Sequence, residues 1–312
     1  MRILVTGGAG FIASHISESY LQEGHQVAIV DDLSQGQEKN IPQGAHFYRL
    51  DILDPHLEEV FSRERPEVIN HHAAQIDVRK SITDPVVDAK INILGTLSLL
   101  KWAQRYGTRQ VIFASSGGTI YGEEGTLPFS EGMPRRPKSP YGLSKCAGEC
   151  YLELYRILFG LDSVILRYSN VYGPRQDPMG EAGVVAIFSQ NILNGKPVTV
   201  FGDGTQTRDY VFVSDVVEAN LLALKAKGSH VLNIATQMET SVNELIHLLE
   251  DFLTQPVPRI DAPARPGELQ RSSLAISLAQ ATLGWRPKVG LQEGLQETFR
   301  WFQRALRTKA AP

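Results

Sequence analysis

Thr6-Gly7-Gly8-Ala9-Gly10-Phe11-Ile12-Ala13 follows directly on the apolar run Ile3-Leu4-Val5. A short run of large apolar residues followed by glycines and a helical pattern reads as a buried strand, a tight turn and a helix. Glycines let the backbone turn sharply and approach a pyrophosphate, whose charge rests on the N–H groups at the helix start. Gly8-x-Gly10-x-x-Ala13 fits the dinucleotide fingerprint with alanine in its permitted last place. Phe11, Ile12, Ile16 and Tyr20 give the helix one apolar face, and Gly24 is placed to stop it. A second apolar run, Gln26 to Val30, ends in Asp31-Asp32, about where the fingerprint wants an acid for the adenosine ribose. An acid there repels a 2′-phosphate, so the turn points to NAD rather than NADP.

The chain has 312 residues, enough for one large domain or two moderate ones. Its net charge is −3, with 31 basic and 34 acidic side chains well mixed, which speaks against a nucleic-acid or membrane surface. No apolar stretch approaches the roughly 20 residues of a spanning helix. The first residues lead straight into a strand, so no signal peptide is expected. Cys146 and Cys150 lie four apart on one predicted helix, where packed thiols are expected rather than a disulfide, as in a reducing cytoplasm.

Strand and helix patterns then alternate. Phe47–Leu50, Glu67–Asn70, Val111–Ala114 and Val164–Arg167 read as strands. Helices are predicted from about Asp54, from the N-cap Asp84 with Pro85 to Gly107, and from Ser139-Pro140. This alternation implies an α/β fold, a doubly wound parallel Rossmann sheet with right-handed crossovers. Beyond Arg167 the pattern loosens. A short helix is expected near Val184–Leu193, another from Ser214 to about Lys227, and Val231–Ile234 reads as a strand returning to the sheet. Ser241-x-x-Glu244 is a capping box opening a further helix. The expected division is 1–168 as the dinucleotide-binding domain, with a return segment at about 209–235, and 169–208 with 236–312 as a smaller, interleaved lobe.

Ser139-Pro140-Tyr141-Gly142-Leu143-Ser144-Lys145 carries the chemistry. With the helix pinned at its cap, Tyr141 and Lys145 share a face. A phenol is a poor base near neutrality unless its anion is stabilised; an ammonium about 5 Å away at an effective dielectric of about 20 supplies roughly 3 kcal/mol, or about two pK units. Upstream, Ser116 ends the strand pattern Phe113-Ala114-Ser115-Ser116-Gly117-Gly118. A hydroxyl there stands where ligands bind in such folds and can pass a substrate proton towards Tyr141. His71 and His72 are strand neighbours facing opposite sides, so they are not read as a metal pair, and no metal is expected.

Taken together, TGGAGFI, Val30-Asp31-Asp32-Leu33-Ser34, SSGGTIYG, PYGLSK, LRYSNVYGPRQ, FGDGTQTRDYVFVSD and Arg265-Pro266-Gly267-Glu268 make the chain resemble an extended short-chain dehydrogenase/reductase over essentially its whole length. It is most similar to the nucleotide-sugar epimerases related to UDP-glucose 4-epimerase. The resemblance implies that Gly7, Gly10, Phe11, Ile12 and Ala13 line the pyrophosphate and that Asp31 and Asp32 meet the ribose. It also places Asp51-Ile52 at the adenine, with Ala73, Asn92, Tyr141 and Lys145 near the rest of the cofactor. For a UDP-sugar it implies Ser116 and Tyr141 at the sugar, Asn170, Arg208 and Arg265 at the diphosphate, and Val184, Val185, Thr199 and Phe201 around the base, with Glu268 and Ser272 nearby. Ala13 departs from the usual glycine.

The implied reaction is epimerisation at C4 of the sugar. Tyr141 takes the proton of the 4-hydroxyl, hydride passes to NAD, and the 4-keto sugar turns and is reduced on its other face. A dehydratase would carry an acidic pair after the conserved serine or threonine, where Gly117 and Gly118 stand here. UDP-glucuronate epimerisation, decarboxylation, net reduction and a silent NAD-binding regulator are the remaining readings. The resemblance makes the position seven after Arg265 decide whether an N-acetyl group fits, and the small Ser272 there implies room for one beside plain hexoses. The apolar residues Val86, Val87, Ile91, Ile93, Leu94, Leu97, Leu99, Leu100 and Trp102 lie on more than one side of their helix. They call for two packing partners, either two neighbours within the fold or a second subunit, and the resemblance implies a homodimer through helices at about 84–106 and 140–158.

Overall fold

Strands rich in valine, isoleucine and leucine, with no polar face, need cover on both sides. The computed structural model describes residues 1–179, 183–265 and 269–310. Its main strands are β1 (Arg2–Thr6), β2 (Gln26–Asp31), β3 (His46–Arg49), β4 (Val68–His71), β5 (Gln110–Ser116) and β6 (Asp162–Tyr168). Four short strands follow, β7 (Asn170–Tyr172), β8 (Val198–Phe201), β9 (Thr207–Arg208) and β10 (Tyr210–Phe212), before β11 (His230–Ile234) rejoins the main sheet. The seven-stranded sheet runs β11-β6-β5-β4-β1-β2-β3 with every pair parallel. The strand order reverses between β1 and β4, which puts the glycine turn after β1 at the switch point where ligands bind in doubly wound sheets.

Helices α1 (Phe11–Gln22), α2 (Leu57–Glu64), α3 (Val78–Thr83), α4 (Pro85–Ala89), α5 (Gly95–Tyr106), α6 (Gly117–Ile120) and α7 (Pro140–Phe159) connect the first six strands. Ile3, Val5, Ile112 and Leu166 pack with Ile16 and Tyr20 of α1 on one sheet face. Leu4, Ile69, Val111 and Ile165 pack with Leu99, Leu100 and Leu152 on the other. The α2 helix begins at Leu57, three residues later than expected, because Asp54 folds into a turn whose Oδ1 accepts from His56 N. The stretch predicted as one helix from Asp84 to Gly107 has both its caps: Asp84 accepts from Val87 N and Gly107 adopts φ +72°. Inside it, however, Lys90–Leu94 forms a π-helical turn. The preceding α3, capped by Asp77, is absent from the sequence reading.

Beyond β6, α8 (Val184–Leu193), α9 (Val213–Ala223), α10 (Val242–Leu253), α11 (Ser277–Leu283) and α12 (Leu291–Ala310) accompany β12 (Thr240–Ser241) and β13 (Arg259–Ala262). The α9 helix ends sooner than expected, with Lys225 N and Ala226 N bonding three residues back in tight turns. The predicted capping box is complete: Ser241 Oγ accepts from Glu244 N, and the Glu244 carboxylate accepts from Ser241 N. Val198 and Val200 pack with Phe188, Ile246, Leu249 and Phe299 in a separate apolar cluster. Two buried carboxylates stitch these elements to the sheet. Asp209 accepts from Thr236 N, Thr236 Oγ1, Gln237 N and Leu274 N, and Asp215 accepts from Lys288 N and Val289 N.

The α7 helix is fixed by a buried ion pair. Arg167 on β6 donates Nε and Nη2 to the two oxygens of Glu149 at 2.9 and 2.6 Å, with side-chain exposures of 3% and 0%. Ser115 Oγ donates to Glu149 at 2.6 Å, and Arg167 Nη1 donates to Tyr121 Oη at 2.7 Å. Glu149→Gln leaves the guanidinium buried without its counter-charge, and denaturant unfolding should show a loss on the order of 3–5 kcal/mol. A loss under about 1 kcal/mol would mean that the pair does not anchor the helix.

Candidate active site

Parallel strands end together, so the carboxyl ends of β1, β4, β5 and β6 form one ledge. Thr6 lies opposite His71, His71 opposite Phe113 and Ser116 opposite Tyr168. At β1 the backbone turns at Gly7 with φ +71°, and Gly7 N bonds Val30 O. A side chain is excluded there, because a Cβ would lie 2.7 Å from Ala73 N. Ala73 N donates to Thr6 Oγ1, so the loop after β4 rests on the turn. Gly10 caps α1 with no side-chain acceptor on its first N–H groups, the arrangement an anion needs.

Asp31 is buried beside this turn, its two oxygens accepting from Ala9 N and Leu33 N. Burial is the largest influence on it and raises its carboxyl above the usual range, against the pull of those two bonds. Asp32 is exposed instead, its Oδ1 taken by Ser34. Asp51 is exposed and closes a turn on Leu53 N, while Ile52 packs inward where Gly95 has no side chain. Phe11 and Ile12 are half-buried and packed in apolar clusters, which leaves their backbone at the turn as the polar contribution.

Ser139 Oγ accepts from Gly142 N and starts α7 as expected. Tyr141 is half-buried, its N–H donating to Ser81 Oγ of α3. Lys145 lies one turn on, buried, with Nζ donating to Ala114 O at 2.9 Å and standing 5.8 Å from the centre of the Tyr141 ring. Burial lowers its pKa to about 8, against the opposing pull of Asp88 and Glu149. It therefore carries its charge at pH 7 and loses it as pH rises through that value. Ser116 is half-buried and caps the short α6, at the end of β5 nearest this pair. Its neighbour Ser115 is spent on Glu149. Gly117 is filled from behind, since a Cβ would meet Leu274 Cδ1 at 2.2 Å, whereas at Gly118 the nearest atom would be Asn170 Oδ1 at 3.9 Å.

The remaining residues lie on the second group of elements. Thr199 and Phe201 alternate on β8 and are half-buried, and the Arg265 guanidinium stacks over the Phe201 ring at 3.8 Å. Arg208 is half-buried on β9 with Nη1 donating to Thr207 O. Val184 begins α8, and Val185 is buried among Tyr172, Tyr210 and Leu245, behind the surface. Ser272 is 3% exposed. Glu268 lies outside the described residues. His71 contacts Thr6 and Thr96, while His72 contacts Tyr168 Oη. Burial pushes His72 down to about 3, and the described residues hold no cluster able to bind a metal ion. Cys146 is buried but Cys150 is exposed, and both are free thiols. Among the described residues no helix is long and apolar enough to cross a membrane.

A sheet that carries its dinucleotide turn at the switch point and a Tyr-x-x-x-Lys pair at its carboxyl edge has the form of an extended short-chain dehydrogenase/reductase. The chain belongs to the NAD dependent epimerase/dehydratase family, whose sequence profile matches residues 3–235. It is 45% identical over 309 residues to a UDP-glucose 4-epimerase of Mycolicibacterium smegmatis, covering 97% of this chain and 99% of that one. The crystal structure of the Thermotoga maritima UDP-glucose 4-epimerase with UDP-glucose superposes with a TM-score of 0.96 at 46% identity, covering 98% of this chain and all of the other. The Thermus thermophilus enzyme, solved as a complex with NAD, gives 0.93 at 46% identity with the same coverage. The cradle here fits that cofactor, given the side-chain-free Gly7, the uncapped start of α1 and the buried Asp31.

The charge on Lys145 has a measurable effect. While it keeps its proton, an ammonium this close to the ring favours the phenolate. In Lys145→Met the ionisation of Tyr141 should therefore move to higher pH, read as ultraviolet difference absorbance against the corresponding Tyr141→Phe variant. An unmoved phenol would remove Lys145 from its role.

Proposed function

We propose that the protein is an NAD-dependent UDP-sugar 4-epimerase that interconverts UDP-galactose and UDP-glucose. The observations that support this are the Lys145 ammonium 5.8 Å from the Tyr141 ring centre and bonded to Ala114 O, two residues before Ser116, in a chain 45–46% identical over nearly its full length to enzymes of that activity. Tyr141, as phenolate, takes the proton from the sugar's 4-hydroxyl, with Ser116 holding that oxygen and the Lys145 ammonium stabilising the anion before transfer. NAD, when bound, supplies a reversible hydride acceptor for C4. Once the 4-keto sugar has turned, Tyr141 returns its proton as the hydride comes back to the opposite face, so no external oxidant or reductant is consumed. Arg208, Arg265 and Asn170 grip the diphosphate, which lets the sugar turn while the nucleotide stays in place. In this reading 1–168 with 209–235 holds the cofactor, and 169–208 with 236–312 holds the nucleotide. Gly117 and Gly118 offer neither carboxylate needed to eliminate water.

Incubating the protein with UDP-galactose and no added cofactor should yield UDP-glucose without net NADH, and Tyr141→Phe should lower the rate at least about 100-fold. Steady NADH production or a 6-deoxy-4-keto product would overturn the epimerase reading. In the same assay UDP-N-acetylglucosamine should also turn over, given the small Ser272; activity confined to the plain hexoses would remove that extension.

The protein is further proposed to work as a cytoplasmic homodimer. Free thiols four residues apart suit a reducing compartment. Val86 and Leu94 on the 85–106 stretch and Leu143, Leu154 and Ile157 on α7 are large apolar side chains left exposed, Val86 and Ile157 by 75% and 78%. Such a surface on two adjacent helices matches a second copy of itself. Light scattering should give twice 34.5 kDa, and a monomer mass would overturn it.

A further inference from the structure

Asn92, at the π turn, has its polar atoms committed inside the protein. Oδ1 accepts from Gln75 N at 2.8 Å, and Nδ2 faces Gln75 O, Asp88 Oδ1 and Ser144 Oγ at 2.9, 3.0 and 3.2 Å. Gln75 closes the clasp, its Nε2 donating to Asp88 Oδ1 at 3.0 Å and its Oε1 accepting from Asp77 N. A carboxylate that is 1% exposed thus sits between the loop after β4, the helix α4 and the helix α7. That loop is the one whose Ala73 rests on Gly7.

The partners of Asp88 are amides, and it forms no ion pair among the described residues. A buried carboxylate without a compensating cation is unfavourable. Lys145 is in the complementary position, buried with a single carbonyl partner. Of the groups around that ammonium, Glu149 on α7 is already neutralised by Arg167 and approached by Arg135 at 3.3 Å. His71 and His72 at the end of β4 are held neutral by burial, Tyr141 lies one turn back on α7, and Phe113 of β5 presents only its ring face. Lys138, across the cleft that Asp88 helps to line, is paired with Glu123. Asp88 reaches α7 through Asn92, whose Nδ2 also meets Ser144, the residue before Lys145, and with Glu149 it favours the charged form of that ammonium.

We propose that Asp88 is a positioning residue for the reaction, locking Gln75 and Asn92 between the cofactor turn and α7 and supplying the buried negative charge that balances the Lys145 ammonium. The proposal rests on the epimerase reading of Tyr141 and Lys145. In Asp88→Asn, which keeps the shape and removes the charge, the ¹⁵Nζ titration of Lys145 should fall by about one pH unit. The basic limb of the kcat profile on UDP-galactose should move towards acid by the same amount. A lower kcat with both midpoints unmoved would assign Asp88 a purely structural role and overturn the proposal. Should the variant not fold, the unaltered protein gives the answer. The ¹³Cγ resonance of Asp88 should report the Lys145 titration near about 8 and lose that step in Lys145→Met; a flat response overturns it. If Lys145 shifts in Asp88→Asn while the unaltered protein leaves UDP-galactose unchanged, the epimerase reading fails and the charge pairing stands.

Discussion

Glu149 and Arg167 meet where water reaches neither, and the energy needed to separate them holds α7 against β6. Each oxygen of that carboxylate has a nitrogen of the fork, and the remaining contacts run to Ser115 on β5 and to Arg135. A helix held only by apolar contacts could slide by a fraction of a turn at small energetic cost. This one is registered by directional bonds, and Lys145 lies one turn before Glu149 on it. The distance from the ammonium to the Tyr141 ring is therefore a property of the helix, while its distance from the sheet is a property of the ion pair.

The second set of elements is attached by related means. Asp209 and Asp215 are buried carboxylates whose partners are mostly backbone N–H groups of segments far along the chain. Backbone amides from two loops cannot be replaced by a rotamer change, so these bonds set where β9, β11 and α12 lie relative to one another. The residues around Phe201 and Arg208 are carried on that frame rather than on the main sheet. The start of α1 and the region around Phe201 and Arg208 are supported by two different cores.

Much of this was legible in the amino-acid order. The strands announced themselves by short apolar runs, and the caps at Asp84, Ser139 and Ser241 fell where side-chain oxygens meet free N–H groups. What escaped reading was long-range or geometric. Nothing local in Glu149 or Arg167 says that they pair across 18 residues, and Ser115 looks as free as Ser116 until Glu149 is placed beside it. The helix α3 was hidden because it is only six residues long and its pattern is polar. Asn92, expected near the cofactor by resemblance, has partners that no local pattern announces, Gln75, Asp88 and Ser144. Asp32 turns outward where Asp31 turns in.

The π turn at Lys90–Leu94 holds one residue more than an α-helix would in the same rise. Each residue of an α-helix advances by about 100°, so the extra one re-aims everything on its far side. Before it, Asp88 faces α7; after it, Leu99, Leu100 and Ala103 face the sheet. A single straight helix could not serve both faces with this sequence. The segment behaves as two gears on one shaft with a fixed phase between them, and its length is therefore constrained where its composition is not. Removing one residue from the turn would give a more regular helix at the expense of either the core or the clasp around Asn92.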